Sequence, residues 1–340
     1  MDDVPRSRFR VPRSSRRAFL AGMGVTSLAA RCRSRERDTL ILRLSHSMNA
    51  GPTSLHVFAD EFRQAVDRAT SGEVTVRIFP SGTLGQEREI VQQLQEGLVD
   101  FMVSGTAIWG SVAPRLQVLD FPFLWRDWDH VHRIVDGPLG DDVADYAAHA
   151  VRVRPLAWGD SFGFRQVVTR SRDVTEPGQL AGLKIRTIQS AIYAKAVELM
   201  GASPTPMAFG EVYTSLQTGV IDGYEHDAST TLQQHFYEVA RFMTRTSHIA
   251  GVLSLSSSTV SQARFPPDVR AMLRDAGREA AIRQRAIGPR EEDAATRALQ
   301  SKGMTIRDLD RRGFERSAVP LWEEQGRALG VTSWLESIRA

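Results

Sequence analysis

Two rhythms of apolar residues alternate along the chain. Leu40-Ile41-Leu42-Arg43-Leu44 is a short apolar run of strand length. Leu55, Phe58, Ala59, Phe62, Ala65, Val66 and Ala69 then recur at helical spacing, with Gly72 to close the helix. Val74, Val76 and Ile78 alternate as a strand that ends at Pro80. A second helix is predicted over residues 86–96 with Gly97 as its cap, and 98–103 read as a buried strand. Strands alternating with helices predict a parallel α/β sheet joined by right-handed crossovers.

The pattern recurs downstream. Glu89-Ile-Val-Gln-Gln-Leu-Gln-Glu-Gly-Leu-Val-Asp100 aligns without gaps on Glu211-Val-Tyr-Thr-Ser-Leu-Gln-Thr-Gly-Val-Ile-Asp222. Glu, Leu, Gln, Gly and Asp coincide, and each copy reads as helix, cap glycine and strand. The second copy is also preceded by a strand at Leu183-Lys184-Ile185-Arg186, a helical stretch over 188–200 and an extended stretch over 204–207. Shared element order predicts two related α/β lobes whose strand ends face a common crevice.

Composition supports this and charge refines it. The chain has 340 residues, 42% hydrophobic and 24% charged, enough for two cored lobes. Its formal charge of +3 suggests an anionic partner such as nucleic acid. However, residues 1–37 carry +7 and the remainder −4, which argues against that partner. Ser15-Arg16-Arg17-Ala18-Phe19-Leu20 precedes an uncharged stretch over 22–30, the layout of an export signal. It resembles the twin-arginine signal, with Ala21 in place of the common Lys. The competing reading is a basic tail. Cys32, the single cysteine, excludes an internal disulfide framework and a Cys-based zinc site. Arg31 stands where a lipoprotein signal needs a small residue. No later stretch reaches about 18 apolar residues, so a periplasmic location is expected.

An exported two-lobe α/β chain reads most simply as a solute-binding protein that closes on a hinge. The predicted division is a leader over 1–37, a first lobe from 38–162 plus about 250–290, and a second from 163–249 plus about 291–340. An enzyme is the main alternative, because Glu225, His226 and Asp227 adjoin. Adjacent residues rarely converge on one metal, and no dinucleotide, Walker A or Gly-x-Ser-x-Gly motif is present. No catalytic residue, metal site or cofactor is therefore expected. A sensory binding protein that reports to a membrane receptor remains a further alternative.

Several stretches together resemble one family. They are Met48-Asn49-Ala50-Gly51, Phe79-Pro80-Ser81-Gly82-Thr83-Leu84-Gly85, Phe121-Pro122-Phe123-Leu124, Gly182-Leu183-Lys184-Ile185-Arg186, and Gly201-Ala202-Ser203-Pro204-Thr205-Pro206-Met207. With the segment from Glu211 to Gly223, they make the chain similar to DctP-type solute-binding proteins of tripartite ATP-independent periplasmic (TRAP) transporters. The resemblance implies a two-lobe receptor that binds a small organic acid (a sugar acid, hydroxy acid or dicarboxylate) and delivers it to a membrane permease driven by an ion gradient. It also implies a long lobe-spanning helix, for which Val269, Met272, Leu273, Ala276 and Ala280 have the spacing. Gly288-Pro289 predicts a kink or break there.

The resemblance nominates ligand-binding residues. Arg186 ends an apolar strand, where a charge is otherwise costly, and its planar fork suits a carboxylate; the family uses it as the clamp. A structural ion pair is the alternative. Arg165 would support the same carboxylate or pack in the hinge. Asn49 would meet polar ligand groups or form a turn. Phe209 would pack on the ligand's carbon face or in the core. His226 stands where many members have Asn, and an imidazole there predicts pH dependence near neutrality. Together with Gly105, where sialic-acid receptors carry an acidic residue, it argues against sialic acid as the ligand.

Overall fold

A computed structural model describes residues 40–340. The export motif and Cys32 lie outside the described residues. The chain runs β1 (Leu40–Ser45), α1 (Ser54–Thr70), β2 (Val74–Phe79), α2 (Glu87–Glu96) and β3 (Phe101–Gly105). Two 3-10 segments, Thr106–Ser111 and Pro114–Asp120, lead to α3 (Trp128–Val135), α4 (Pro138–Val151) and β4 (Val153–Asp160). Next come β5 (Arg165–Thr169), β6 (Lys184–Thr187), α5 (Ala191–Leu199), β7 (Ser203–Pro206) and α6 (Val212–Thr218). They are followed by β8 (Gly223–His226), α7 (Ala228–Gln233), β9 (Phe242–Ile249) and β10 (Val252–Ser258). The chain finishes with α8 (Thr259–Gln262), α9 (Pro267–Ser301), β11 (Thr305–Asp308), α10 (Arg312–Ala328) and α11 (Thr332–Arg339).

Two sheets result, with strand orders β2-β1-β3-β10-β4 and β11-β9-β5-β8-β6-β7. The strands read from helix–strand alternation pair in parallel: β1 with β2 and β3, and β6 with β7 and β8. The expectation of a wholly parallel sheet is corrected. β10 runs antiparallel to β3 and β4, and β5 antiparallel to β8 and β9. These strands follow direct chain crossings between the sheets rather than helical crossovers, so nothing forces them to be parallel.

The repeated segment folds alike in both places. Gly97 and Gly219 close α2 and α6 in the left-handed conformation, at φ 75° and 78°. The amides of Leu98 and Val220 each bond the carbonyl five residues back, on Gln93 and Ser215. The carboxylates of Asp100 and Asp222 then accept the amides of Arg43 and Lys184, at 2.7 and 2.8 Å, on the neighbouring parallel strand. Residues 98–100 belong to this cap rather than to a strand. Leu98 is 55% exposed, and β3 starts at Phe101.

α9 has 35 residues, about 50 Å of helix. Leu273, Ala276 and Ala280 pack in the core of the first sheet; Ala295 and Leu299 pack in that of the second. The expected break at Pro289 does not occur, since the proline lies inside one continuous helix. Gly288 lacks the Cβ that usually clashes with a following proline ring, and packing on both sheets offsets the lost hydrogen bond. The C-terminal α11 sits in the first sheet's core, with Trp334, Leu335 and Ile338 clustered beside Val131, Val135 and Val143. The sequence expectation had placed 291–340 wholly with the second lobe.

Candidate ligand-binding site

A cavity of about 50 Å³ lies between the sheets, beyond the C-terminal ends of β1, β3, β6 and β8. That is where ligands collect in open α/β sheets. The first sheet's side contributes Ser47, Glu87 and Gly105; the second contributes Arg165, Arg186, Phe209 and His226. Four of the five residues nominated from sequence therefore line one cavity.

Asn49 does not line it. The residue is exposed, its carbonyl accepts the Thr53 hydroxyl, and its side-chain oxygen accepts the Ser81 hydroxyl at 3.2 Å. Both bonds brace the loop after β1.

Arg186 is buried at the end of β6, with 2% of its surface exposed. Its Nε and Nη2 donate to the Met207 carbonyl at 3.2 and 2.9 Å. Among the described residues it has no ion pair. Burial, reinforced by the neighbouring Arg165 charge, lowers its pKa to about 10, which still leaves it charged at neutral pH. Its Cζ stands 5.8 Å from the Phe209 ring centroid.

Arg165 on β5 is paired. Its Nε is bonded to the Glu225 carboxylate, and its Nη2 donates to the carboxylate at 2.9 Å and to the Glu225 carbonyl at 2.7 Å. Burial alone would raise the Glu225 pKa, but Arg165 and His248 hold it down at about 2. The Arg165 guanidinium also lies over the Tyr193 ring, 5.3 Å from its centroid. Neither arginine's Nη1 has a hydrogen-bond partner among the described residues.

His226 is buried, and its Nδ1 is 2.8 Å from Asp227 Oδ2. Burial, then the charge of Arg165, pushes its pKa well below the usual histidine range. The ring is therefore neutral at neutral pH.

Glu87 is the residue that sequence reasoning missed. It opens α2, accepts the Ser47 hydroxyl at 3.2 Å, and is raised by burial against the opposing pull of Arg186. The repeat held the signal, since Glu87 occupies the position equivalent to Phe209 at the entry of the second copy's helix.

A larger groove of about 420 Å³ lies beside β4 and α9, away from these strand ends. Two of its arginines are already bound: Arg285 to Asp136 and Arg154 to Asp145.

Comparison with known proteins agrees with this architecture. Residues 44–328 match the DctP model, described as bacterial extracellular solute-binding protein, family 7. The 2,3-diketo-L-gulonate-binding periplasmic protein YiaO of Escherichia coli is 32% identical over 302 residues, 87% of each chain. A TRAP periplasmic solute-binding protein from Pseudomonas putida F1, with bound D-glucuronate, superposes with TM-score 0.83 at 27% identity, covering 88% of this chain and 97% of that one. One from Polaromonas, bound to D-erythronate, gives TM-score 0.84 at 27% identity over 88% and 98%. The chain belongs to the DctP family of extracellular solute-binding proteins.

Proposed function

We propose that this protein is a periplasmic receptor that takes a small sugar acid between its two lobes and delivers it to a TRAP-type permease. The observation that carries the reading is the unpaired, buried Arg186 at the cavity, with Arg165 beside it. A buried guanidinium with no carboxylate in contact is costly, and a ligand carboxylate lowers that cost. Relatives with this fold hold D-glucuronate and D-erythronate, acids that carry several hydroxyls. Glu87 supports the same class. Its carboxyl accepts hydroxyl hydrogens but repels a second ligand carboxylate, which favours polyhydroxy monoacids over dicarboxylates. Phe209 would cover the carbon face. Export by the twin-arginine route, with residues 1–37 as leader, completes the reading.

The lobes are 38–162 plus about 250–290, and 163–249 plus about 291–340, with α11 docked across onto the first. The present cavity has room for a few water molecules, well short of the roughly 300–1,000 Å³ of typical ligand sites. Entry of a sugar acid therefore requires the lobes to part.

Isothermal titration with D-glucuronate tests the clamp. Arg186→Ala should lose at least about 2 kcal/mol of binding free energy, roughly 30-fold or more in Kd. Equal affinity in variant and wild type would refute the assignment.

A further inference from the structure

His226 meets the cavity with one ring nitrogen and the protein interior with the other. The interior nitrogen, Nδ1, has two neighbours. The backbone amide of Asp227 donates to it at 3.1 Å, and Asp227 Oδ2 lies 2.8 Å away. A backbone amide can only donate. Nδ1 therefore holds a lone pair, and the neutral ring carries its hydrogen on Nε2. The Oδ2 contact is then a hydrogen bond only if that oxygen carries a hydrogen, which makes Asp227 a neutral acid.

The surroundings agree. Asp227 is fully buried; its Oδ1 accepts the Thr230 amide at 2.6 Å and its Oδ2 the Thr230 hydroxyl at 3.2 Å. Glu292, from the middle of α9, accepts the amides of Ala228 and Ser229, both at 2.9 Å, and packs on Gly163 in the β4–β5 crossing. Burial pushes both carboxyls far above the usual range. The remaining charges around the pair are Arg165 on β5, which acts on Asp227 and His226; Arg186 on β6, which acts on His226; and Glu225 on β8. Arg245 on β9 acts on Glu292, and His248 on the same strand acts on Glu225. Burial, then the charge of Arg165, keeps His226 uncharged, so the proton in play belongs to Asp227.

We propose that Asp227 is a positioning residue for ligand recognition: a hydrogen on its Oδ2 fixes the Nε2–H form of His226, and the cavity thereby presents a hydrogen-bond donor to a ligand oxygen. This rests on the reading that His226 meets the ligand. When Asp227 loses its proton to solvent, the ring hydrogen moves to Nδ1 to meet the carboxylate, and Nε2 turns a lone pair towards the cavity. Binding of an acid should therefore weaken as pH rises.

Long-range proton–nitrogen NMR spectra of the full chain read the tautomer directly, and the wild-type protein alone decides it. His226 should carry Nε2–H at and below neutrality and convert to Nδ1–H as the pH is raised across roughly pH 5–9. In Asp227→Asn the side-chain amide can donate to Nδ1 at every pH, so the ring should stay Nε2–H throughout. The Kd for D-glucuronate should rise at least about tenfold through the wild-type conversion, and stay flat in Asp227→Asn. Nδ1–H in the wild type at neutral pH, or a conversion that persists in Asp227→Asn, would overturn the lock. If the tautomer converts as expected while Kd does not change, the contact between His226 and the ligand is refuted instead, and the recognition role with it.

Discussion

Asp120 ends the 3-10 segment Pro114–Asp120 with its two carboxyl oxygens in unequal surroundings. Oδ1 accepts the Thr106 hydroxyl at 2.8 Å and the Tyr193 hydroxyl at 3.4 Å; Oδ2 is buried without a partner. Burial raises its pKa to about 7, so the folded protein favours the protonated acid. The sign follows from linkage. Stability from this group is complete below the ordinary carboxylate range and is lost as pH rises through about 7. Asp120→Asn should lack that slope. Urea unfolding should find the variant ahead of wild type by about 2–4 kcal/mol at mildly alkaline pH relative to acid pH; an equal difference at both would refute it. At this scale sequence was informative where a motif carried chemistry. Arg186, Arg165, Phe209 and His226, named from their motifs, all line the cavity. Which arginine is neutralised was illegible, because Glu225 reaches Arg165 across paired strands, 60 residues away in sequence. Asn49 misled because a motif cannot say which way a loop side chain turns. That the His226 ring stays neutral was illegible, because burial is a tertiary property.

At the scale of elements, the legible parts were those with local patterning. α1 buries Leu55, Phe58, Ala59, Phe62, Ala65 and Val66, the set its spacing picked out, although Ala69 is exposed near its end. The antiparallel strands gave no such signal. β10, Val-Leu-Ser-Leu-Ser-Ser-Ser, is buried throughout. Its serines are satisfied within the core, where Ser256 bonds Ser254 and Ser254 receives the Trp109 indole N–H. Hydroxyls paired in this way read as polar surface in sequence. For α9 local propensity predicted a kink or break, and packing keeps the helix unbroken through Pro289. Pro289 is exposed and still withholds one backbone donor from that helix. Pro289→Ala should raise stability by about 1–3 kcal/mol, measured as a higher Tm. A lower Tm would mean that the helix depends on its proline.

For the whole molecule, the two-lobe architecture was legible because the repeat was. Two copies of one supersecondary unit imply two sheets, whatever strands join them later. The docking of α11 onto the first lobe was not legible. It depends on apolar contacts such as Trp334 with Tyr146, at ring centroids 5.9 Å apart, between segments far apart in sequence. Closure on a ligand predicts a change of shape. Saturating D-glucuronate should reduce the radius of gyration in small-angle X-ray scattering, and at a hundredfold Kd should add about 2.7 kcal/mol of stability. Arg186→Ala should show neither response, and compaction in that variant would separate closure from the clamp.

Three segments connect the sheets: residues 161–164, residues 250–251 and α9. The first two run side by side, with the Ser161 amide bonded to the Gly251 carbonyl at 3.2 Å. Gln284 of α9 ties in by bonding both the amide and the carbonyl of Asp160. A single strand would act as a swivel. Three bonded together act as a door hung on several pins, which swings but does not slide or twist. Each time the door shuts, Arg186 and Glu87 return to the same alignment, so a solute of the wrong outline is met by a fixed frame rather than by one that adjusts to it.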